Sequence, residues 1–154
     1  MNNSLPCSAP VVNPADLAVL LRLVGFAPTD TNGIRLRGCP NPDGTLRWIW
    51  PATLRQPLFL EFYNASSLKT RLFSVLVKLV FTCRLQALFF RLLPGQFSPT
   101  GEQVWPRAEF AMFTGTPGPN RKAMCCYILA RGQLVFAKLT LDHGAAEMVR
   151  TETA

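Results

Sequence analysis

The chain has 154 residues and a formal net charge of +7 at pH 7, a length that suits a single domain with a buried core. Its 49% hydrophobic and 16% charged residues exclude a chain that is disordered over most of its length. The positive charge favours a polyanionic partner, whether nucleic acid, an anionic membrane or a nucleotide phosphate, and does not choose among them.

Cysteine and histidine content limits the chemistry of the chain. The five cysteines include no CxxC pair and His143 is the single histidine, so no zinc site of the usual spacing can be written. A Ser/His/Asp or Cys/His nucleophile system is not indicated either. The first residues lack the basic and apolar regions of a secretory signal. We expect reduced thiols, no metal site and a bacterial cytoplasmic protein, with the periphery of the inner membrane as the alternative location.

The N-terminal part contains one clear helix signal. Residues 1–12 are polar and contain proline, and we expect a flexible arm. Asn13 and Pro14 precede an apolar run and Gly25 follows it, which predicts a helix over 15–24.

Turn-forming residues dominate the next segment, 27–44, and allow only a short strand at 34–37. Two further short strands are predicted at 46–50 and 58–63, separated by prolines.

The longest periodic element covers residues 68–93 and predicts a long basic helix, capped by Ser66 or Ser67 and ended by Pro94. No charge-free stretch in it exceeds six residues, well short of the ~18 residues of a membrane span. At 100° per residue, its basic residues divide between two opposite sides. They are Lys69, Arg84 and Arg91 on one side, and Arg71 and Lys78 on the other. This division favours a helix packed on the core or on a partner, with a helix lying on a membrane surface as the alternative.

The sequence pattern changes near position 100, from a helical and short-strand region to a strand-rich one, and this change predicts two parts. Residues 95–107 form a Pro/Gly/polar linker between a helical and short-strand region, 13–94, and a final part, 108–154. The final part contains strand patterns at 110–113, 122–130 and 134–141, and then the opening turns of a helix over 145–154. The fold class is therefore α+β, with a small antiparallel sheet and a helix at the C-terminal end.

A Gly/Pro loop separates the first two of these strands. It contains Gly115 and Gly118, followed by Arg121 and Lys122. Such a loop can present backbone N–H groups to a phosphate while the basic residues supply charge. The spacing matches neither the Walker A pattern nor GxGxxG, and an ordinary hairpin turn is the alternative.

Lys138 lies in the middle of the third strand pattern, which is otherwise uncharged. Such a lysine either marks a solvent-exposed face or pairs with an acid. Glu152, with Glu147 as the nearer alternative, lies on the helix predicted to follow. A strand lysine held by a helix glutamate is the ion pair that positions nucleotide phosphates in kinases.

This order of strand, Gly loop, strand, turn, Val-Phe-Ala-Lys138 strand and Arg150-Thr-Glu152 helix resembles the N-terminal lobe of the protein-kinase-like fold, in particular the aminoglycoside/choline phosphotransferase type. The resemblance covers about 108–154. The preceding part looks like that of bacterial members whose genes accompany surface-polysaccharide synthesis.

The resemblance implies that Gly115 and Gly118 cover the phosphates of ATP bound with Mg²⁺, that Lys138 pairs the α/β-phosphates and that Glu152 orients this lysine. No His-x-Asp catalytic loop and no Asp-Phe-Gly motif follows, so no catalytic residue can be assigned. We therefore expect a truncated or degenerate phosphotransferase that is inactive alone and whose partner would be a C-terminal lobe.

Two other functions are open. A non-enzymatic basic module could bind an anionic membrane surface or a protein partner through the 68–93 helix. Nucleic-acid binding, based on the basic charge and on Trp48, Trp50 and Trp105 as stacking faces, ranks last because no recognised motif accompanies these residues.

Overall fold

The computed structural model describes residues 14–41, 44–63, 65–100, 109–115, 122–128 and 132–140. These ranges form helices and antiparallel strands, which confirms the α+β class. The helices are α1 (Pro14–Leu23), a 3₁₀ helix (Leu58–Phe62), α2 (Leu68–Thr82) and α3 (Gln86–Phe89). The strands are β1 (Phe26–Thr29), β2 (Leu36–Pro40), β3 (Leu46–Pro51), β4 (Arg91–Leu92), β5 (Gln96–Pro99), β6 (Phe110–Phe113), β7 (Lys122–Ile128) and β8 (Leu134–Thr140).

One antiparallel sheet organises the described residues. Its six strands follow the order β4-β2-β3-β6-β7-β8, while β1 and β5 form a separate two-stranded sheet. Strands from either side of the predicted linker meet where Trp48 pairs with Phe113 and Ile49 with Met112. The linker region 95–107 itself contains strand β5. Strands from both predicted parts thus lie side by side in the six-stranded sheet.

The large sheet carries a hydrophobic cluster on each face, because successive strand residues point to opposite sides. Ile49 belongs to the cluster that includes α1, and its neighbours Trp48 and Trp50 belong to the cluster that includes the 3₁₀ helix and α2. Cys125 and Cys126 divide in the same way. The sheet is therefore covered by α1 on one face and by the 3₁₀ helix, α2 and α3 on the other.

The prediction of one continuous helix over 68–93 is wrong. α2 ends at Thr82, and Arg84 takes a left-handed backbone conformation with φ 57. The short α3 and strand β4 follow. Tertiary contacts explain the break, because the turn lets the side chain of Gln86 reach the indole of Trp50 and the backbone carbonyl of Leu54. Local periodicity carries no information about those partners.

The strand predicted at 58–63 is also wrong, since this segment forms the 3₁₀ helix. Leu58 and Phe59 are both buried in the same cluster, which two successive residues of a strand could not achieve. The predicted strand at 34–37 begins two residues later, as β2. The strands predicted at 46–50 and 110–113 are confirmed as β3 and β6.

Other predictions agree with the structure or fall outside the part it describes. The helix predicted at 15–24 is α1, shifted by one residue. β7 and β8 lie within the predicted strands 122–130 and 134–141. The arm at 1–12 and the helix at 145–154 lie outside the described residues. Among the helices that the structure describes, none has the length and apolar character needed to cross a membrane.

Candidate functional site

Helix α2 begins at a well-formed capping box. Ser67 Oγ accepts a hydrogen bond from the Thr70 backbone N–H at 3.2 Å, and Thr70 Oγ1 accepts one from the Ser67 N–H at 2.9 Å. These bonds satisfy two of the backbone donors that a helix start leaves unpaired. Of the two serines that the sequence offered as caps, Ser67 is the one used.

Among the described residues, α2 buries one narrow side against the protein, and its Phe73 ring also lies 5.3 Å from the ring of Tyr63. The buried residues of α2 are Val77 and Phe81. The Phe81 ring lies 6.0 Å from the rings of both Trp50 and Phe59, in the cluster beneath the helix. The buried part of this attachment therefore lies in the C-terminal half of α2.

The opposite side of α2 presents an apolar stripe to the surroundings. We call it the outward stripe, and its members are Leu68, Leu72, Val75, Leu76 and Leu79. Each of these side chains is between 52% and 87% exposed. Their spacing of i, i+4, i+7, i+8 and i+11 places them on one face of a helix. A contiguous exposed apolar face of this kind marks an interaction surface.

Basic side chains border the outward stripe on both sides. At 100° per residue, Lys69 lies on one flank, and Arg71 and Lys78 lie on the other. All three are exposed. No aspartate or glutamate occurs between Glu61 and Glu102 in the sequence. The two opposite sides that the sequence predicts for these cations are thus the two borders of one apolar face.

The α3 segment extends this exposed apolar character. Leu88 and Phe89 are 77% and 65% exposed. The segment is held by Gln86, and Arg37 Nη1 donates a hydrogen bond to the Phe90 carbonyl at 2.9 Å, just after α3. We call α2 and α3 together the helical surface. Its anchors, Val77, Phe81 and Gln86, face the sheet, and its exposed apolar side chains face away from it.

The predicted phosphate site is only partly described. Gly115 follows β6, is buried and has φ 77, a left-handed conformation that favours glycine. Lys138 is exposed on β8 and lies in one cross-strand row with Met124 and Phe113. Two strand spacings separate Lys138 from Phe113, roughly 10 Å.

The remaining residues of that site lie outside the described ranges. They are Gly118, Arg121, Glu147 and Glu152. The structure therefore places Gly115 and Lys138 on the same three-stranded unit, β6 to β8. The pairing of Lys138 with Glu152 or Glu147 stays a prediction.

The described cysteines on the sheet are not activated nucleophiles. Burial raises the pKa of Cys125 to about 12, and burial, with the nearby Glu61 carboxylate, raises that of Cys126 to about 11. Burial also raises the pKa of Cys39, although Arg47 opposes the shift. These thiols stay protonated at neutral pH. Within the described ranges no three His, Cys, Asp or Glu residues are grouped so that they could hold a metal ion.

Two of the three tryptophans serve the core. Trp48 and Trp50 are buried and pack against aromatic rings, including Phe59 at 5.6 and 4.8 Å. Trp105 lies outside the described residues. Trp48 and Trp50 therefore present no open face on which a base could stack.

No family model, curated protein or solved structure matches the chain. The exposed face of the helical surface could not be predicted from the sequence. The apolar spacing along 68–79 indicates a helix, but it does not show which side of that helix packs on the sheet.

Proposed function

We propose that this protein is a non-enzymatic module that binds an anionic membrane surface through the helical surface. α2 lies in the plane of the bilayer interface with the outward stripe among the upper acyl chains. The flanking Lys69, Arg71 and Lys78 meet lipid phosphates. The observation that carries the proposal is the exposure of five large aliphatic side chains on one helix face between two basic borders.

The estimated free energy of membrane binding agrees with peripheral attachment. Full burial of a Leu or Val side chain contributes about 1.5–3 kcal/mol, so burying the exposed parts of the outward stripe contributes on the order of 5–8 kcal/mol. Each basic residue near an anionic surface adds about 1 kcal/mol. The total is enough for reversible peripheral binding. It is far below the strength of a membrane-spanning helix.

Vesicle co-sedimentation tests the apolar part of the proposal. The double variant Leu72→Glu/Leu76→Glu should bind vesicles of phosphatidylcholine and phosphatidylserine about 100-fold more weakly than the parent chain, because two inserted side chains become charged. Val19→Glu is the matched control, since Val19 is 49% exposed and lies on α1. Unchanged binding of the double variant would sink the proposal.

A second pair of variants tests the charge part. Arg71→Gln/Lys78→Gln and Arg22→Gln/Arg35→Gln remove the same net charge from exposed positions, but only the first pair borders the outward stripe. The first pair should weaken binding about tenfold more than the second. Equal losses would mean that overall charge, rather than the helical surface, attracts the membrane.

A second candidate function is the phosphate-binding N-terminal part of a truncated or degenerate kinase-like phosphotransferase. Its support is the antiparallel order β6-β7-β8, with Gly115 in a left-handed conformation after the first strand and Lys138 on the third. Calorimetric titration with Mg·ATP tests it. Saturable binding that is lost in Lys138→Ala supports this function, and no binding by a folded chain removes it.

A further inference from the structure

The helical surface is more apolar than a surface that binds membranes mainly through charge. The outward stripe consists of Leu and Val alone, with three basic residues on its borders. Apolar insertion therefore contributes roughly twice as much free energy as charge attraction does. A surface of this balance depends more on access to the acyl chains than on the density of anionic lipid.

The packing of α2 on the protein limits how the helix can reach the acyl chains. Its inner side stays on the protein through Val77 and Phe81, so only the outward half of the helix can enter the bilayer. A 15-residue helix is about 22 Å long. Interfacial helices reach about 5–10 Å below the headgroups. Entry thus requires an elongated, shallow opening between headgroups.

Such openings are rare in flat, tightly packed bilayers and common in strongly curved ones. We infer that the helical surface selects membranes with loosely packed headgroups, so that strongly curved anionic bilayers are its preferred partner. This inference rests on the proposed membrane binding and specifies which membranes are bound. Lys69, Arg71 and Lys78 strengthen the attachment on any anionic surface without creating the openings that the outward stripe needs.

Flotation of the full chain with two vesicle sizes tests this selection. The vesicles have the same mixture of phosphatidylcholine and phosphatidylserine, with diameters of about 30 nm and about 200 nm. At equal accessible lipid, the parent chain should bind the small vesicles about tenfold more tightly. Val19→Glu should keep this ratio. Leu76→Glu should reduce it towards one.

The charge variant separates the two contributions. Arg71→Gln/Lys78→Gln should weaken binding to both sizes by the same factor and leave the ratio between them unchanged. Equal binding of the parent chain to both sizes would overturn the curvature inference while leaving membrane binding intact. Binding to neither size would overturn both.

A third outcome identifies another occupant. If light scattering showed a dimer that Leu76→Glu dissociates, while vesicles failed to bind the parent chain, the outward stripe would be an interface between two copies. That result would overturn the inference and the proposed function together.

Discussion

Replacing Gln86 should destabilise the protein more than its position in a four-residue helix suggests. Gln86 is 8% exposed. Its Oε1 accepts a hydrogen bond from Trp50 Nε1 at 3.3 Å, and its Nε2 donates one to the Leu54 carbonyl at 2.8 Å. Gln86→Leu keeps a similar volume and removes both bonds.

The expected loss follows from the two groups that remain. A buried donor or acceptor left without a partner costs about 1–3 kcal/mol, and the added apolar surface offsets part of that loss. We expect Gln86→Leu to lower the free energy of unfolding by about 2–4 kcal/mol and the melting temperature by roughly 5–12 °C.

Urea unfolding followed by tryptophan fluorescence measures this loss, because Trp50 contacts the altered site. Gln133→Leu is the matched control, since Gln133 is exposed immediately before β8 and its replacement should change stability by less than about 0.5 kcal/mol. A loss of under about 0.5 kcal/mol for Gln86→Leu would refute the view that this side chain ties α3 to the sheet.

Two further predictions concern the start of α2 and the buried thiols. Ser67→Ala removes the capping box and should destabilise the protein by about 1 kcal/mol in urea unfolding, and Ser66→Ala is the control, for which an equal loss would contradict the assigned cap. The raised pKa of Cys125, about 12 against an ordinary 9.0, stabilises the folded chain fully below about pH 9. This contribution disappears as pH rises towards 12, because the unfolded thiol ionises first. Between about pH 8 and about pH 10 the parent chain should therefore lose about 1 kcal/mol more stability than Cys125→Ala, and identical pH profiles would contradict the burial of this thiol.

Much of the sheet could be predicted because the signals are local. Strands β3 and β6 are short runs of aromatic and aliphatic residues between turn formers, and α1 lies between Pro14 and Gly25. The 3₁₀ helix could not be predicted in the same way. Its sequence has strand-forming residues, and only the aromatic cluster beneath it favours burying Leu58 and Phe59 side by side.

The break in the 68–93 element shows a second limit. Cys83, Arg84 and Leu85 include no proline or glycine, so the local sequence permits a continuous helix. The left-handed Arg84 costs about 1–2 kcal/mol, and the buried bonds of Gln86 offset that cost. A contact more than thirty residues away in the chain therefore decides where the helix ends.

The candidate site could be predicted in part. The apolar spacing and the positions of the cations are visible in the sequence. Whether these residues form one exposed face depends on which side of α2 packs on the sheet. Val77 and Phe81 set that side. Once that side is known, Lys69 and Lys78 become the borders of one face instead of charges on unrelated sides. For the predicted phosphate site, the structure gives the positions of Gly115 and Lys138. The roles of Gly115, Gly118, Lys138 and Glu152 all stay predictions.

A fluorophore placed on the outward stripe reports whether this stripe enters the bilayer. Cys39 is partly exposed and Cys83 is exposed, so both are replaced by serine, together with Cys7. In this chain with Cys7→Ser, Cys39→Ser and Cys83→Ser, an environment-sensitive dye on Leu76→Cys should shift to the blue and become shielded from aqueous quencher when small anionic vesicles are added. The same dye on Val19→Cys should not respond. Buried Cys125 and Cys126 should escape labelling at neutral pH because their thiols are protonated. If the dye on Leu76→Cys stays exposed to quencher while the protein is bound to vesicles, the outward stripe does not insert and the proposed mode of membrane binding is wrong.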